Sequence, residues 1–396
     1  MKPAVSASLP WALIGAACLG SFAATSSGTT RAPFLIEMSA DLEVSMPLVA
    51  NLVSLTATAW GTASALAGWL SDVVGRRLLL TLSLLGLALT LAGQADAGSF
   101  FWVAVWAAVG GGCCGAFTGV VYAEVSGRVP DGQRGRALGW VMSGQSLTLL
   151  VGVPMAAAVG ALIGWRGWLL CVGGLALLGS ASIFATVARS TPGHLRTAAR
   201  PPLMAALSPR VLGLLATGIA ERICYGLAAV YFAAFLQATY GLSLGQLATP
   251  LAIFAVGSVS GTILGGQIAD RFRDRLLVFA LAMAASAVAA FVLFLWHPSA
   301  EISVALGFIY VLLNALGRPS YMAALAAVPE EMRGTVLGLN GTSASVGWIG
   351  AAALGAAMIG WVGFEGFGPL AAVLALAGTA GALLGRRKTA QMTTVD

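Results

Sequence analysis

Long apolar runs constrain this chain more than any other feature of its sequence. Twelve of them lie between charged residues or glycine and proline breaks, and a hydrocarbon core about 30 Å thick needs about 20 apolar residues per helix. The runs cover residues 9–36, 46–68, 78–95, 99–126, 135–163, 167–188, 210–238, 244–269, 276–296, 302–327, 334–361 and 364–385. Because each run can span a bilayer, the sequence predicts an all-α integral membrane protein with twelve transmembrane helices.

Composition supports this prediction and excludes several classes of protein. Of the 396 residues, 58% are hydrophobic and only 9% are charged, whereas soluble domains carry about 25% charged residues. So few charges cannot cover the surface of a soluble protein, and disordered chains are polar. Soluble enzymes, nucleic-acid-binding proteins and disordered chains are therefore excluded.

The basic residues predict the orientation of the helices. With the N-terminus in the cytoplasm, the inward turns hold most of the arginines, and the outward side keeps Arg166 and, at its edge, Arg31. Cytoplasmic loops of membrane proteins carry an excess of lysine and arginine. We therefore expect a multi-pass protein of the bacterial plasma (inner) membrane with both termini in the cytoplasm, and we expect the first run to be a retained span rather than a signal peptide.

The chain contains an internal duplication. The segment GWLSDVVGRR at 68–77 recurs as GGQIADRFRDR at 265–275, and PDGQRGRALG at 130–139 recurs as PEEMRGTVLG at 329–338. In both pairs of segments the second copy follows the first after nearly the same number of residues. The two copies also have the same orientation, as in the repeats of some secondary transporters. The sequence predicts a six-helix bundle over 1–188, a cytoplasmic linker over 189–209, and a second six-helix bundle over 210–396 with a short cytoplasmic tail.

The segment at 68–77 resembles the signature between helices 2 and 3 of the major facilitator superfamily. GVP at 152–154, followed by GWR at 164–166, is similar to the drug and metabolite exporter branch of that family. The resemblance covers the whole chain. It implies two pseudo-symmetric six-helix bundles that transport a substrate, and not an enzyme.

The resemblance also implies a conformational latch on the cytoplasmic side. Asp72 would dock near the start of helix 11, around Gly334, and Asp270 near the start of helix 5, around Gly135. Gly68 would let helix 2 approach a neighbour, Gly75 would permit a tight turn, and Glu124 is expected to pair with a latch arginine rather than to carry protons. The residues assigned to this latch are Gly68, Asp72, Gly75, Arg76, Arg77, Glu124, Arg134, Asp270, Arg271, Arg275 and Arg333.

A second group of polar residues marks a candidate cavity for substrate and protons. Charged side chains inside a membrane are costly and are therefore functional candidates, and in this superfamily helices 1, 4, 7 and 10 line the central cavity. The candidates are Thr29, Arg31, Gln145, Glu221, Arg222, Tyr225, Asn314, Arg318, Asn340 and Trp348. For Glu221, an ion pair with Arg318 or Arg31 and a role in binding protons or substrate are equally compatible with the sequence.

Two features depart from the pattern of proton-driven exporters. Helix 1 has no acidic residue between Trp11 and Arg31, and helix 4 has Trp106 where many exporters have an arginine. Glu221 is then the only acidic side chain that we expect deep in the membrane. Stripes of small residues on helices 5 and 8, which include Gly144 and Gly261, are expected to form a sliding surface between the two halves.

The leading hypothesis is a secondary active transporter that works by alternating access and exports a small organic compound or drug by proton antiport. The alternative is uptake of a small organic anion by symport or facilitated diffusion, and a remote alternative is a non-transporting receptor or assembly factor. We expect no cofactor and no metal site, because both histidines fall in loops, and no nucleic-acid partner. The expected partners are a small-molecule substrate, protons and the lipid bilayer, and the expected state is a monomer.

Overall fold

The fold is built from helices in all the parts of the chain that can be described. The computed structural model describes residues 9–129, 133–187, 208–272, 274–328 and 330–393. Residues 189–207 of the predicted linker lie outside these ranges. Within them the α-helices are α1 (Trp11–Thr29), α2 (Leu35–Asp41), α3 (Met46–Ala50), α4 (Leu52–Val74), α5 (Arg76–Asp96), α6 (Phe100–Gly127), α7 (Arg134–Leu147), α8 (Val153–Thr186), α9 (Pro209–Tyr240), α10 (Ala248–Arg271), α11 (Arg275–Leu295), α12 (Ala300–Leu325), α13 (Glu330–Trp361) and α14 (Phe367–Thr393).

The helices have the length and surface of membrane spans. Among the described residues, nine helical segments are long and apolar enough to cross a membrane. Large apolar side chains cover their outer faces: Leu162 is 86% exposed and Leu89 is 62% exposed. Since a helix satisfies its backbone hydrogen bonds internally, such surfaces are stable against hydrocarbon. The chain is therefore an all-helical, multi-pass membrane protein.

Some helix ends differ from those predicted from hydropathy. The first predicted run, 9–36, is divided, because α1 ends at Thr29 and a 3₁₀ turn over Ala32–Phe34 leads into α2. Pro33 lies in this turn and has no backbone N–H with which to continue a helix. The hydropathy pattern predicts a single run here because the residues on both sides of the turn are apolar.

Gly164 interrupts the longest helical segment. Its φ of 71° and ψ of 172° are not helical, although α8 continues on both sides of it. These angles lie where only glycine is readily accommodated, which fits the predicted boundary between runs 135–163 and 167–188. A π-helical turn over Thr148–Gly152 precedes α8.

Contacts divide the chain into two compact units. The first unit contains Met1–Arg31 and Thr58–Arg196, and the second contains Ala32–Ala57 and Thr197–Asp396. In the first unit α1 packs against α6, α7 and α8, and α5 packs against α6 and α8. In the second unit α9 packs against α12, α13 and α14, and α10 packs against α12.

Small residues allow close helix packing inside each unit. A Cβ atom at Gly261 of α10 would lie 2.3 Å from the carbonyl oxygen of Leu312 in α12, and one at Gly144 of α7 would lie 2.3 Å from that of Cys18 in α1. Such close approach is typical of helix pairs in membranes. The prediction that these glycines form a sliding surface between helices 5 and 8 is therefore wrong, because their faces are covered by α12 and α1.

Candidate functional site

The most deeply buried charged residue of the second unit is Glu221, on α9. Glu221 is 1% exposed, and it lies near the middle of the helix Pro209–Tyr240. Burial of a charge is costly unless the charge is paired and hydrogen-bonded. The surroundings of Glu221 therefore determine what this part of the molecule can do.

Arg318 of α12 is the principal partner of Glu221. Its Nε and Nη2 atoms donate hydrogen bonds of 3.1 Å and 2.8 Å to the same carboxylate oxygen, Oε1. The second oxygen, Oε2, lies 3.8 Å from Nε of Arg222, which is too long for a hydrogen bond. Two guanidinium groups thus share one carboxylate, and the cluster carries a formal charge of +1.

Tyr225 and Trp348 lie beside this cluster. The guanidinium carbon of Arg318 is 4.7 Å from the centre of the Tyr225 ring, a cation–π distance. The ring of Tyr225 contacts that of Trp348 edge to face, with 6.0 Å between centroids. The predicted candidates Glu221, Arg222, Tyr225, Arg318 and Trp348 therefore form one cluster, which we call the α9–α12–α13 cluster.

The two predicted asparagines have neighbours of their own. Asn314 is buried on α12, and its Nδ2 atom lies 3.9 Å from the sulfur of Met283. Asn340 of α13 accepts a 3.2 Å hydrogen bond from the hydroxyl of Tyr321 and approaches the sulfur of Met322 at 3.4 Å. Tyr321 was not a predicted site residue, and its aromatic character alone does not distinguish it from a core residue.

The remaining cavity candidates lie in the first unit. Arg31 is 4% exposed and donates a 3.0 Å hydrogen bond from Nη2 to Oε1 of Gln94 on α5. Thr29 is half-buried at the end of α1, and Gln145 donates a 2.9 Å hydrogen bond to the hydroxyl of Tyr122. Arg31 and Gln145 thus have polar contacts within their own unit.

Glu124 is the centre of a charged cluster in the first unit. The Oε2 atom of Glu124 lies 3.5 Å from Nη1 of Arg76. Its Oε1 atom accepts a 2.5 Å hydrogen bond from Nε of Arg128, the C-cap residue of α6, one helical turn after Glu124. Arg77 places its guanidinium 4.0 Å from the centre of the Phe184 ring. The structure thus brings Glu124 to Arg76, one of the predicted latch arginines.

The other latch candidates are only partly described. Gly75 has a φ of 89°, a conformation that favours glycine, between α4 and α5. No described atom lies within 4 Å of the position that a Cβ of Gly68 would occupy, and its expected role in close helix packing stays a prediction. Asp270, Arg271 and Arg275 are exposed, and Arg275 donates to the carbonyl of Ala323. The side chains of Asp72, Arg134 and Arg333 lie outside what the structure describes.

One partly buried acidic residue was missed by the sequence analysis. Glu37 of α2 accepts a 2.9 Å hydrogen bond at Oε1 from Nε2 of Gln237, near the end of α9, and both residues belong to the second unit. Its other oxygen is buried and has no hydrogen-bond partner among the described residues. Glu37 directly follows the first predicted run, 9–36, where the sequence suggested an outer helix end. No local pattern pairs it with a residue 200 positions away.

Comparison with known protein families identifies the chain. The profile of the Major Facilitator Superfamily matches residues 17–251 and 214–394. This chain belongs to the Major Facilitator Superfamily. Its family and its fold are those of membrane transporters.

Named relatives of this superfamily member come from bacteria. The chain is 27% identical over 251 residues to a chloramphenicol resistance protein of Streptomyces lividans, covering 62% of this chain and 63% of the relative. It is 28% identical over 157 residues to the inner membrane transport protein YdhP of Escherichia coli, covering 40% of each. The alignments thus span less than two thirds of the length of these relatives.

Solved structures of Major Facilitator Superfamily proteins share the fold. A D-xylose–proton symporter is similar with a TM-score of 0.76 at 16% identity, over 95% of this chain and 97% of that protein. A bacterial homologue of the human lysosomal transporter Spinster, in an inward-facing and unoccupied conformation, gives a TM-score of 0.73 at 17% identity over 96% of this chain and 95% of that protein. At these identities the likeness concerns the fold alone.

Proposed function

We propose that this superfamily member exports a small organic compound from the bacterial cytoplasm by proton antiport, with Glu221 as the proton carrier. The observation that carries the proposal is the buried carboxylate of Glu221 on α9, hydrogen-bonded to Arg318 on α12. Ionisable groups inside transmembrane segments are rare and belong to ion pathways and proton relays. In this proposal Glu221 binds a proton when its pair with Arg318 opens and releases the proton when the pair forms again.

The direction of transport is supported by one named relative. The chloramphenicol resistance protein of Streptomyces lividans shares 27% identity over 251 residues with this chain. Export of an organic compound is one way in which a membrane transporter can confer resistance. We therefore take chloramphenicol as the first substrate to test.

The proposal includes the architecture expected from the internal duplication. Twelve transmembrane helices form two six-helix bundles, over 1–188 and 210–396, joined by a cytoplasmic linker, with both termini in the cytoplasm. On the cytoplasmic face, Asp72 and Asp270 act as the two latches of an alternating-access cycle. The transporter works as a monomer in the bacterial inner membrane.

Everted membrane vesicles provide the test. Respiration acidifies the lumen of such vesicles, so a proton antiporter accumulates its substrate inside them. We expect wild-type vesicles to accumulate radiolabelled chloramphenicol above the level of vesicles without the protein, and an uncoupler to abolish this accumulation. The Glu221→Gln variant should lose it, because glutamine cannot release a proton.

A matched control removes a different carboxylate from the same pair of helices. Glu301 is exposed in the first turn of α12, and Glu301→Gln should keep full accumulation. Glu221→Asp keeps the carboxylic acid and should retain part of the accumulation of chloramphenicol. This variant provides a second test in case Glu221→Gln does not fold. Accumulation that persists in a well-folded Glu221→Gln variant would overturn the assignment of Glu221, and uncoupler-insensitive transport would overturn antiport.

Uptake of a small organic anion is the second candidate. The observation that favours it is the formal charge of the α9–α12–α13 cluster, in which Arg222 and Arg318 share the single carboxylate of Glu221. A positive site within the membrane attracts anions from either side. Accumulation of an organic anion by right-side-out vesicles with an alkaline lumen, together with no accumulation of chloramphenicol by everted vesicles, would favour this candidate.

A further inference from the structure

We propose that the second unit contains a binding site for the anionic group of an aromatic compound, formed by Arg222, Tyr225 and Trp348. The inference rests on the proposed transport function and adds a second class of substrate, aromatic anions, to the uncharged compound chloramphenicol proposed above. It depends on four separate features of the α9–α12–α13 cluster. These are its net charge, the N–H groups of Arg222, the hydroxyl of Tyr225 and the ring of Trp348.

The first feature is the charge balance. Arg318 and Arg222 contribute two positive charges, and Glu221 contributes one negative charge. Among the described residues, no other carboxylate pairs with either guanidinium. Because an uncompensated charge inside a membrane protein is costly, one further anion would stabilise this cluster.

The second feature is the state of Arg222. Its Nε atom is 3.8 Å from Glu221, beyond hydrogen-bond distance, and its side chain is only 20% exposed. A guanidinium carries five N–H donors in a planar fork, and none of those of Arg222 donates to a described residue. The planar fork matches the two oxygens of a carboxylate or a phosphate.

The third feature is the hydroxyl of Tyr225, one helical turn after Glu221 on α9. Tyr225 is 3% exposed, and its hydroxyl is buried without a hydrogen-bond partner among the described residues. A buried hydroxyl without a partner loses the hydrogen bond that water would provide. The ring of Tyr225 also lies 4.7 Å from the guanidinium carbon of Arg318, so this hydroxyl belongs to the same cluster as Arg222 and can donate a hydrogen bond to an anion bound there.

The fourth feature is the packing of α13, which places an aromatic ring beside these donors. Gly347 lies so close to α9 that an added Cβ would be 2.5 Å from Cβ of Arg222, and the ring of the next residue, Trp348, packs against Gly226 and Tyr225. Since Gly347 and Trp348 are adjacent on α13, the stem of Arg222 and the indole of Trp348 both lie at this contact between α9 and α13. A flat apolar body attached to an anionic group can contact the indole while its anion binds the guanidinium.

The matched probes 2-naphthoate and its neutral amide, 2-naphthamide, test the site. Binding is measured by equilibrium dialysis against the full-length protein in detergent, with no ion gradient. We expect naphthoate to bind at least tenfold more tightly than naphthamide to the wild type. Arg222→Gln should weaken naphthoate binding at least tenfold and leave naphthamide binding unchanged, and Tyr225→Phe should weaken naphthoate binding about threefold.

Arg210→Gln is the matched control, because it removes the same charge from the first turn of the same helix. It should leave naphthoate binding unchanged. Equal binding of the two probes to the wild type, or equal effects of Arg222→Gln and Arg210→Gln, would overturn the proposal. If Arg222→Gln does not fold, Tyr225→Phe decides, because it removes only a hydroxyl: unchanged naphthoate binding would then contradict the site.

Binding without a gradient separates this inference from the proposed function. If naphthoate binding requires Arg222 but chloramphenicol accumulation is insensitive to an uncoupler, the anion site stands and proton antiport fails. If accumulation requires Glu221 but naphthoate and naphthamide bind alike, the anion site fails and proton antiport stands.

Discussion

Arg318 donates two hydrogen bonds to one oxygen of Glu221, at 3.1 Å and 2.8 Å. The two residues are 97 positions apart in the sequence, and their contact joins α12 to α9. The other oxygen of Glu221 faces Arg222 at 3.8 Å. The carboxylate is thus the only negative charge that the described residues supply to two partly buried guanidinium groups. Its removal has consequences for stability as well as for transport.

Glu221→Leu should destabilise the protein by about 3–5 kcal/mol, because it leaves Arg318 and Arg222 without a countercharge. The double variant Glu221→Leu/Arg318→Leu should recover much of this loss, since it removes one of the two unpaired charges. Chemical unfolding in detergent measures both free energies. A double variant no more stable than Glu221→Leu would contradict the idea that Glu221 neutralises Arg318.

Because α10 packs closely against α12, adding one methyl group at Gly261 should lower the stability of the protein. Gly261→Ala places a Cβ 2.3 Å from the carbonyl oxygen of Leu312, and the overpacking should cost about 1–3 kcal/mol. Gly266→Ala on the same helix is the control, because no described atom lies within 4 Å of the added carbon. Thermal unfolding that is equally affected in both variants would show that the helix contact is looser than described.

Substitution by alanine at two glycines of the segment 68–77 should change the stability of the protein in opposite directions. Gly75 has a φ of 89°, so Gly75→Ala should cost about 1–3 kcal/mol of strain. Gly68 lies within α4 and has open space where its Cβ would be, so Gly68→Ala should add about 0.5–1 kcal/mol of stability through helix propensity. The unfolding midpoints of the two variants check both signs, and a loss in Gly68→Ala would indicate the close packing that was expected from the sequence.

The hydrogen bond between Gln237 and Glu37 should contribute to the stability of the second unit. Gln237→Leu removes the donor and leaves Glu37, whose other oxygen is already buried and unpartnered, without its 2.9 Å bond. The expected cost is about 1–3 kcal/mol. Gln267→Leu serves as an exposed control, and equal stability of the two variants would argue against the contact.

Hydropathy predicted the positions of several helices, because a bilayer leaves few alternatives to a helix. The predicted run 276–296 corresponds to α11 (Arg275–Leu295), and the predicted run 302–327 corresponds to α12 (Ala300–Leu325). The helix interruption around Pro33 was not predicted, since apolar residues flank it on both sides. The membership in the Major Facilitator Superfamily followed from the motif at 68–77 and its repeat.

The contacts of the candidate site were only partly accessible from the sequence. Glu221 and Arg318 could be proposed as a pair, since both are charged and lie inside apolar runs. The pairing of Glu37 with Gln237 and the contact of Gly261 with α12 could not, because each depends on how distant helices are rotated about their axes. A regular stripe of small residues shows that a helix packs closely but does not identify its neighbour.

Proton movement coupled to substrate tests the central claim most directly. Proteoliposomes that contain the purified protein and a pH-sensitive dye are loaded with chloramphenicol and diluted into substrate-free buffer. Antiport predicts that the lumen becomes acidic as chloramphenicol leaves and protons enter, and that Glu221→Gln abolishes the change. An alkaline shift, as symport would give, or no shift while chloramphenicol leaves through the protein would contradict the account.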